Sequence, residues 1–196
     1  MVLFYVLLLK FLSLNDQNDT SGSCGNNLTW LFDNATKTLT ISGSGEMFNY
    51  TLDIASPWNL FCDYIETITI EKGVKSFGQR AFSECSSLTS ITIPDSVTYI
   101  GPYAFAGCLN LTSVTIPDSV TYISSSVFYY CLNLTSITIP NTVIFIGQSA
   151  FSFCISIETI TIHGNVTSIE NSTFYECTSL VSISIPNTVT YIGRKA

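Results

Sequence analysis

Hydrophobic and polar residues follow one another along this chain in a pattern that recurs every 23 residues. One unit, residues 85–107, reads CSSLTSITIPDSVTYIGPYAFAG. Residues 88–100 and 111–123 differ only where Val114 replaces Ile91. Six cysteines mark the same period: Cys62, Cys85, Cys108, Cys131, Cys154 and Cys177. A fixed period of this length indicates a solenoid, in which each unit forms one coil.

Each unit is predicted to begin with a short strand. Ile91 and Ile93 alternate with polar neighbours, which places both side chains on one face of a strand and Thr92 on the other. Pro94 lacks the N–H that a β ladder needs, so the strand ends there. The pattern therefore predicts inward apolar and outward hydroxyl side chains in successive coils.

The second half of each unit is predicted to carry the chain back to the start of the next coil. Val97 and Ile100 point inward from a second extended segment, and Gly101 opens a corner. Ala104 and Phe105 then form one turn of α or 3₁₀ helix. One coil cannot bury its apolar residues alone, so neighbouring coils must stack.

Residues 62–196 contain five full repeats and one truncated repeat, and three segments precede them. Residues 1–14, MVLFYVLLLKFLSL, are too short to cross a bilayer, which needs about 20 apolar residues. They predict a signal peptide or signal anchor. The alternatives are an apolar N-terminal strand or a start codon inside a longer leader. Residues 15–23 are polar without periodicity, which predicts a linker.

Residues 24–61 do not follow the 23-residue repeat and are predicted to form an N-terminal cap. Leu28, Trp30 and Phe32 alternate with polar residues, and so do Leu39 and Ile41 after a turn. This pattern is typical of a β-hairpin. The first coil of a solenoid needs such an atypical unit over its apolar end.

The motif L-x-x-I-x-I-P-x-x-V-x-x-I-G-x-x-A-F-x-x-C resembles the BspA-like (Treponema-type) leucine-rich repeat of surface proteins. Residues 43–47 and 56–58 are also similar to the segment that precedes such repeats. The resemblance covers residues 24–196. Five positions depart from the motif: Ser124 and Glu170 at the corner glycine, His163 and Glu71 at the proline, and Thr173 at the alanine.

Together the repeat and the cap predict a mostly β leucine-rich-repeat solenoid with 23-residue coils and an N-terminal β-hairpin cap. The resemblance implies a secreted or cell-surface protein that takes part in adhesion or host interaction. It adds a cellular context that the periodicity does not supply.

The charge of the chain argues against partners that are bound through basic patches. The formal net charge is −7, and charged residues make up 11% of the chain against about 25% in typical domains. We therefore predict no nucleic-acid partner.

The sequence predicts no enzyme. Its one histidine, His163, stands in a turn where other units have proline. The cysteines are periodic, as structural columns are, so none is a unique partner for a Cys–His pair. Catalytic and phosphate-binding motifs are absent from the sequence, and the acidic residues are not spaced as calcium ligands. We predict no catalytic residue, metal ligand or cofactor.

Cysteines in a secreted chain suggest disulfides, but stacked cysteines would have parallel Cα–Cβ vectors. We predict free thiols that are buried as small apolar groups. A bridge from Cys24 to Cys62, or to another cap position, is the expected exception.

Asparagines in N-x-S/T sequons are more frequent than the roughly three expected by chance, which supports a secreted glycoprotein. The candidate glycosylation sites are Asn18, Asn27, Asn34, Asn49, Asn110, Asn133, Asn165 and Asn171.

Rows of outward side chains form the candidate binding face. The hydroxyl row contains Thr92, Thr115 and Thr138, with Thr69, Thr161 and Ser184 at the same position of other units. A second row contains Thr98 and Thr121, followed by the aromatic residues Tyr99, Tyr122, Phe145 and Tyr191, with Ser168 interrupting. The alternative is structural: threonine favours strands and pairs across them, and the rings cover neighbouring side chains.

These rows predict a non-enzymatic adhesion or recognition protein that binds a protein or extracellular-matrix ligand. Three alternatives stay open: a glycan-binding module that stacks sugars on the Tyr/Phe row, a structural or antigenic surface-coat repeat, and a truncated paralogue without a ligand. The last unit stops at GRKA, where phenylalanine would follow. This predicts either a fragment of a longer protein or self-association through an uncapped last coil.

Overall fold

The computed structural model describes residues 20–196, which wind into a solenoid of 23-residue coils built almost entirely from short strands and turns. The predicted mostly β solenoid is confirmed. The predicted signal peptide, residues 1–14, lies outside the described residues, and so does the sequon at Asn18.

The strands are short because each coil bends at three corners. In chain order they are β1 Thr20–Gly25, β2 Leu28–Asp33, β3 Thr38–Gly43, β4 Gly45–Glu46, β5 Thr67–Ile70, β6 Val74–Phe77, β7 Ser90–Thr92, β8 Tyr99–Ile100, β9 Ser113–Thr115, β10 Tyr122–Ile123, β11 Ser136–Ile139, β12 Phe145–Ile146, β13 Thr159–Ile162, β14 Ser168–Ile169, β15 Ser182–Ser184 and β16 Tyr191–Ile192. One 3₁₀ turn, Asn59–Phe61, is the only helical element among these described residues.

Each complete coil has three sides. The first face contains β1, β2 and β3 of the cap and the odd-numbered strands from β5 to β15. The second face contains the even-numbered strands from β4 to β16. The turn face is formed by residues 79–84, 102–107, 125–130, 148–153 and 171–176. Strands of successive coils pair in parallel with a 23-residue offset, as Thr138 pairs with Thr161.

The cap contains four strands, β1 to β4, where the sequence predicted two. β2 and β3 form the predicted hairpin, and β3 pairs in parallel with β5, so the cap continues the first face. β1 pairs antiparallel with β2. The predicted linker, residues 15–23, is therefore wrong from Thr20 onward. An edge strand of small polar residues carries no hydrophobic alternation, and its backbone ladder alone holds it.

The core is a set of columns, one for each inward position of the repeat. The phenylalanine column stacks ring on ring with centroid separations of 5.4 to 5.7 Å: Phe82, Phe105, Phe128, Phe151 and Phe174. Trp58 of the cap stacks on the first of these rings at 5.6 Å. The cap therefore covers the apolar end of the column, as a terminal unit must.

The segment around Ala104 and Phe105 was predicted as a helical turn, and this is wrong. It forms consecutive single turns whose amides bond across coils: the N–H of Phe82 donates to the carbonyl of Ala104 at 2.8 Å, and that of Phe105 to Val127 at 2.9 Å. Positive φ angles at Tyr103 and Gly107 keep a helix from continuing. The turn face thus links the coils through a third row of backbone hydrogen bonds.

The corner glycine has a steric role. A Cβ on Gly101 would lie 2.7 Å from the backbone nitrogen of Gln79 and the carbonyl carbon of Gly78. Its φ is not in the left-handed region, so close approach of neighbouring coils, rather than backbone conformation, selects glycine here.

The prediction of free thiols is confirmed at Cys24, Cys108, Cys131, Cys154 and Cys177 and is wrong for one pair, and the predicted Cys24–Cys62 bridge is wrong. Cys62 and Cys85 form a disulfide between the first two coils, while Cys24 is buried and free. Further along, each thiol donates to a carbonyl of the preceding coil, as Cys131 does to Phe105 at 3.2 Å. Periodic spacing places all these sulfurs in one column, which is why the sequence did not single out one pair.

Candidate recognition surfaces

The predicted binding residues divide between two sides of the solenoid. Thr92, Thr115 and Thr138 lie on the first face, within β7, β9 and β11. The second row lies on the second face: Thr98, Tyr99, Thr121, Tyr122, Phe145 and Tyr191. A partner on one side cannot contact both rows, so the two rows are separate candidate surfaces.

The hydroxyl row on the first face is exposed at Thr92, Thr115 and Thr138. Ladder pairing places Thr92 beside Thr115, and Thr138 beside Thr161. Parallel pairing in register forces this alignment, because the inward isoleucines on either side occupy the core.

The first face is interrupted in the middle of this row. The hydrogen-bonded sheet ends at β9, and a second sheet starts at β11, although the two strands are neighbours. A cleft of about 470 Å³ lies there. Its polar lining residues are Ser113, Thr115, Asp118, Ser136, Thr138, Asn141 and His163. We call it the first-face cleft.

The first-face cleft offers donors and acceptors in close proximity. Serine and threonine hydroxyls both donate and accept, the carboxylate of Asp118 accepts, and His163 adds an imidazole. His163 occupies the turn position that holds proline in other coils, and its backbone N–H donates to Ile139 at 3.0 Å. Proline could not make that bond. The histidine thus lengthens the ladder beside the cleft.

The aromatic row on the second face is only partly continuous. Tyr122 stacks on Phe145 with a centroid separation of 4.4 Å, and Tyr99 and Tyr191 are exposed further along. Ser168 stands between Phe145 and Tyr191 and pairs with Tyr191 through the backbone. Beside it, Thr98 uses its hydroxyl internally, donating to the carbonyl of Lys75 at 3.3 Å.

A third set of aromatic residues, on the turn face, was not predicted from the sequence. Tyr130 lies 4.7 Å from Phe153, and Phe153 lies 5.5 Å from Tyr175, measured between ring centroids. Arg80 lies over the ring of Tyr103 at 4.5 Å. These residues are outside the strands, where alternation does not assign a face. The available signal was one aromatic pair, Tyr130 and Phe153, at the same position of successive units.

Seven predicted glycosylation sites lie within the described residues. Six of these asparagines are exposed: Asn27, Asn49, Asn110, Asn133, Asn165 and Asn171. Asn34 is half-buried, and its Oδ1 accepts a hydrogen bond from Lys37 at 2.7 Å. The side chain of Asn133 donates to that of Asn110 one coil away at 3.2 Å.

The free thiols are held in the protonated form. Desolvation raises the pKa of Cys24 and of Cys108 from 9.0 to about 12, and that of Cys177 to about 11. A protonated thiol is a poor nucleophile and a poor metal ligand. Within residues 20–196, no group of three potential ligand side chains is placed to hold a metal ion. The same residues contain no helix with the length and hydropathy of a membrane span.

Parallel β coils of 23 residues around columns of isoleucine, leucine and phenylalanine define a leucine-rich-repeat protein. The chain belongs to the BspA type leucine rich repeat family, whose profile matches six copies, over residues 58–163 and 99–196. The family predicted from the sequence is confirmed. No curated protein sequence matches the chain significantly.

Solved structures share the fold. The T. pallidum leucine rich repeat protein TpLRR matches with a TM-score of 0.70 at 22% identity, over 87% of this chain and 85% of that one. A leucine-rich repeat protein from Eubacterium ventriosum gives 0.65 at 22% identity, and this chain, 90% covered, spans only 62% of it. The pneumococcal vaccine antigen PcpA gives 0.51 at 22% identity, over 63% of this chain and 35% of that one.

Proposed function

We propose that the protein is a non-enzymatic, secreted or cell-surface recognition protein that binds a protein or matrix component through its first face. The observation that carries the proposal is the first-face cleft, where the ladder opens between β9 and β11 amid the exposed hydroxyl row. Strand edges and hydroxyls side by side provide both backbone and side-chain partners for an extended polypeptide segment.

Family membership supports the location outside the cell. The exposed sequons agree with it, because glycosylation requires asparagines that an enzyme can reach. We propose that residues 1–14 act as a signal peptide or signal anchor, and that the exposed sequons are glycosylated where the host carries out that modification.

A glycan ligand on the second face is the second candidate. The stacked pair of Tyr122 and Phe145 offers a flat aromatic surface beside the exposed ring of Tyr99. Aromatic rings give a large contact area at low cost in side-chain entropy.

We further propose that two copies associate through the last coil. Ile192 is 60% exposed, whereas its counterpart Ile169 is 2% exposed; Ile185 is 41% exposed and its counterpart Ile162 is 3%. The outer edge of β15 also has no ladder partner in the described part of the chain. A second copy would cover both the apolar residues and this strand edge.

The test is a surface plasmon resonance screen of the full chain against immobilised extracellular-matrix proteins and glycans. If an immobilised protein binds the chain, the variant with lysine at both Thr115 and Thr138 should bind it at least tenfold more weakly, because the two lysine side chains fill the cleft. A tenfold loss corresponds to about 1.4 kcal/mol. Thr121→Lys on the second face is the matched control and should bind as the unmodified chain does.

If the double variant binds as tightly as the unmodified chain, the ligand contacts a surface other than the first-face cleft. Loss of binding with Tyr122→Ser, on a glycan surface, would favour the second candidate instead. A chain that binds no member of the panel would be a structural or antigenic repeat, or a truncated paralogue.

A further inference from the structure

A groove crosses the turn face at the junction of the cap and the first coils. Two clefts, of about 160 and 280 Å³, share Arg80, Ser83 and Glu84. The smaller cleft lies against Tyr50 and neighbouring residues of the cap. The larger one lies on the coils, against Tyr103, Tyr129 and Tyr130. We call the two together the turn-face groove.

The groove exists because one side chain is missing from a column. Two positions of each coil have a left-handed backbone, and the residues at the second of them are Glu84, Gly107, Tyr130, Phe153 and Glu176. Of these five only Gly107, with φ of 75°, has no side chain. It leaves a gap between the carboxylate of Glu84 and the ring of Tyr130, one coil away on either side.

The floor of the groove combines a cation with an aromatic ring. The guanidinium carbon of Arg80 lies 4.5 Å from the ring centroid of Tyr103. This cation–π contact holds a long side chain in one place and leaves its five N–H donors in a fixed fan. Glu84 borders the same space and supplies acceptors, and Ser83 can do both.

Aromatic rings extend the groove wall toward the later coils. Tyr129 and Tyr130 are 5.1 Å apart, and Tyr130 and Phe153 are 4.7 Å apart, between centroids. A ligand that extends from the groove in this direction would contact these rings in turn.

The cap end of the groove contains a polar group without a partner. The hydroxyl of Tyr50 is buried, and it is the only buried side-chain oxygen or nitrogen among residues 20–196 that lacks a hydrogen bond. Tyr50 borders the smaller cleft. This hydroxyl oxygen is enclosed by the protein, so Tyr50 closes the cap end of the groove as a wall residue and its hydroxyl is not a ligand contact.

We propose that the turn-face groove binds a neutral saccharide chain. Sugar rings have apolar faces that pack on aromatic rings, and their hydroxyls need a donor and an acceptor close together. Arg80 and Glu84 supply this pair, beside the rings of Tyr103 and Tyr130. Glu84 and the net charge of −7 disfavour an acidic saccharide.

The experiment is isothermal titration of the full chain with hexasaccharides of glucose and of N-acetylglucosamine, and with a uronic-acid hexasaccharide of equal length. At least one neutral chain should bind saturably and more tightly than the acidic chain. Tyr103→Ser and Arg80→Gln should each weaken that binding about tenfold or more.

Gly107→Phe is the sharpest variant, because the same position already holds Phe153 two coils later. The added Cβ would lie 3.3 Å from Cγ of Glu84, so that side chain must move slightly. The variant should abolish binding while the thermal unfolding midpoint stays within a few degrees, because Phe153 already adopts the same left-handed backbone. Val181→Ser, at an exposed apolar position outside the groove, is the control and should bind normally.

Failure of every neutral hexasaccharide to bind overturns the proposal. Tighter binding of the uronic-acid chain overturns it too. So does loss of binding in Tyr122→Ser together with normal binding in Tyr103→Ser, which would move the sugar to the second face. None of these results depends on the first-face variants, so this proposal and the proposed protein recognition can fail separately.

Discussion

The indole Nε1–H of Trp58 donates to the carbonyl oxygen of Ala81 at 2.9 Å, and this bond joins the cap to the first coil across 23 residues. Both residues are fully buried. The Trp58 ring also stacks on Phe82 at 5.6 Å and meets Trp30 edge-on at 6.0 Å. One side chain thus links the cap, the phenylalanine column and the backbone of the turn face.

Trp58→Phe should destabilise the protein by about 2–4 kcal/mol. The carbonyl of Ala81 loses its donor while it stays buried, and the smaller ring leaves a cavity. Urea unfolding followed by circular dichroism measures the change. Leu60→Ala, two residues away at an exposed position, should cost less than about 0.5 kcal/mol. Equal losses in the two variants would contradict this role for the indole.

Two phenylalanines of one coil should differ sharply in their contribution to stability. Phe151 is fully buried and stacks between Phe128 and Phe174, at 5.5 and 5.7 Å. Phe151→Ala should cost about 3–5 kcal/mol. Phe153 is half-buried on the turn face, and Phe153→Ala should cost about 1 kcal/mol. Similar unfolding midpoints in urea for the two variants would refute the column as the principal core.

The arrangement of cysteines predicts a thiol count. The Cys62–Cys85 disulfide leaves five free thiols of the seven cysteines. Denatured, unreduced protein should therefore react with five equivalents of a thiol reagent, and reduced protein with seven. Peptide mapping should recover residues 62 and 85 in one cross-linked species. Seven reactive thiols before reduction would show that this pair is open.

Stability should fall in alkaline solution because the buried thiols resist ionisation. The pKa of Cys108 rises from 9.0 to about 12 through desolvation. Below about pH 9 the thiol is protonated in both the folded and the unfolded chain, and its contribution is constant. At higher pH the unfolded chain ionises first, so stability is lost as pH approaches the folded pKa, by about 1.4 kcal/mol per pH unit for each such thiol.

Urea unfolding at pH 8 and at pH 10 measures this loss. Cys108→Ala removes one of the titrating thiols, so its stability should decline less over the same interval. A variant that declines as steeply as the unmodified chain would assign the alkaline loss to other groups.

The sequence predicted what repetition determines. Ile91 and Val114 occupy the same position one period apart, and in a solenoid this alone places them side by side in the core. It also predicted which threonines face outward. β1 was not predicted, because the edge strand Thr20–Gly25 is held by backbone hydrogen bonds and its sequence has no alternation of apolar and polar residues.

The turn-face groove was not predicted from the sequence for a different reason. Arg80, Tyr103 and Gly107 come together because left-handed turns aim their side chains outward and a glycine leaves a gap. Alternation assigns faces only within strands, so the sequence pattern had no means of placing them. The opening between β9 and β11 is likewise invisible in the sequence, since residues 113–116 and 136–139 differ only where Ile137 replaces Val114.

The last coil provides a test of the proposed self-association. Within residues 20–196 this coil has a neighbouring coil on one side only, and Ile185 and Ile192 are exposed where their counterparts are buried. Size-exclusion chromatography with light scattering on residues 20–196 should find a dimer whose proportion rises with protein concentration. Ile192→Lys places a charge on this apolar end and should shift the equilibrium to the monomer, because burying an unpaired charge costs several kcal/mol. Thr190→Lys, two residues earlier and exposed on the second face, is the matched control and should dimerise normally. A monomer at every concentration, or a dimer that persists in Ile192→Lys, would contradict association through this coil.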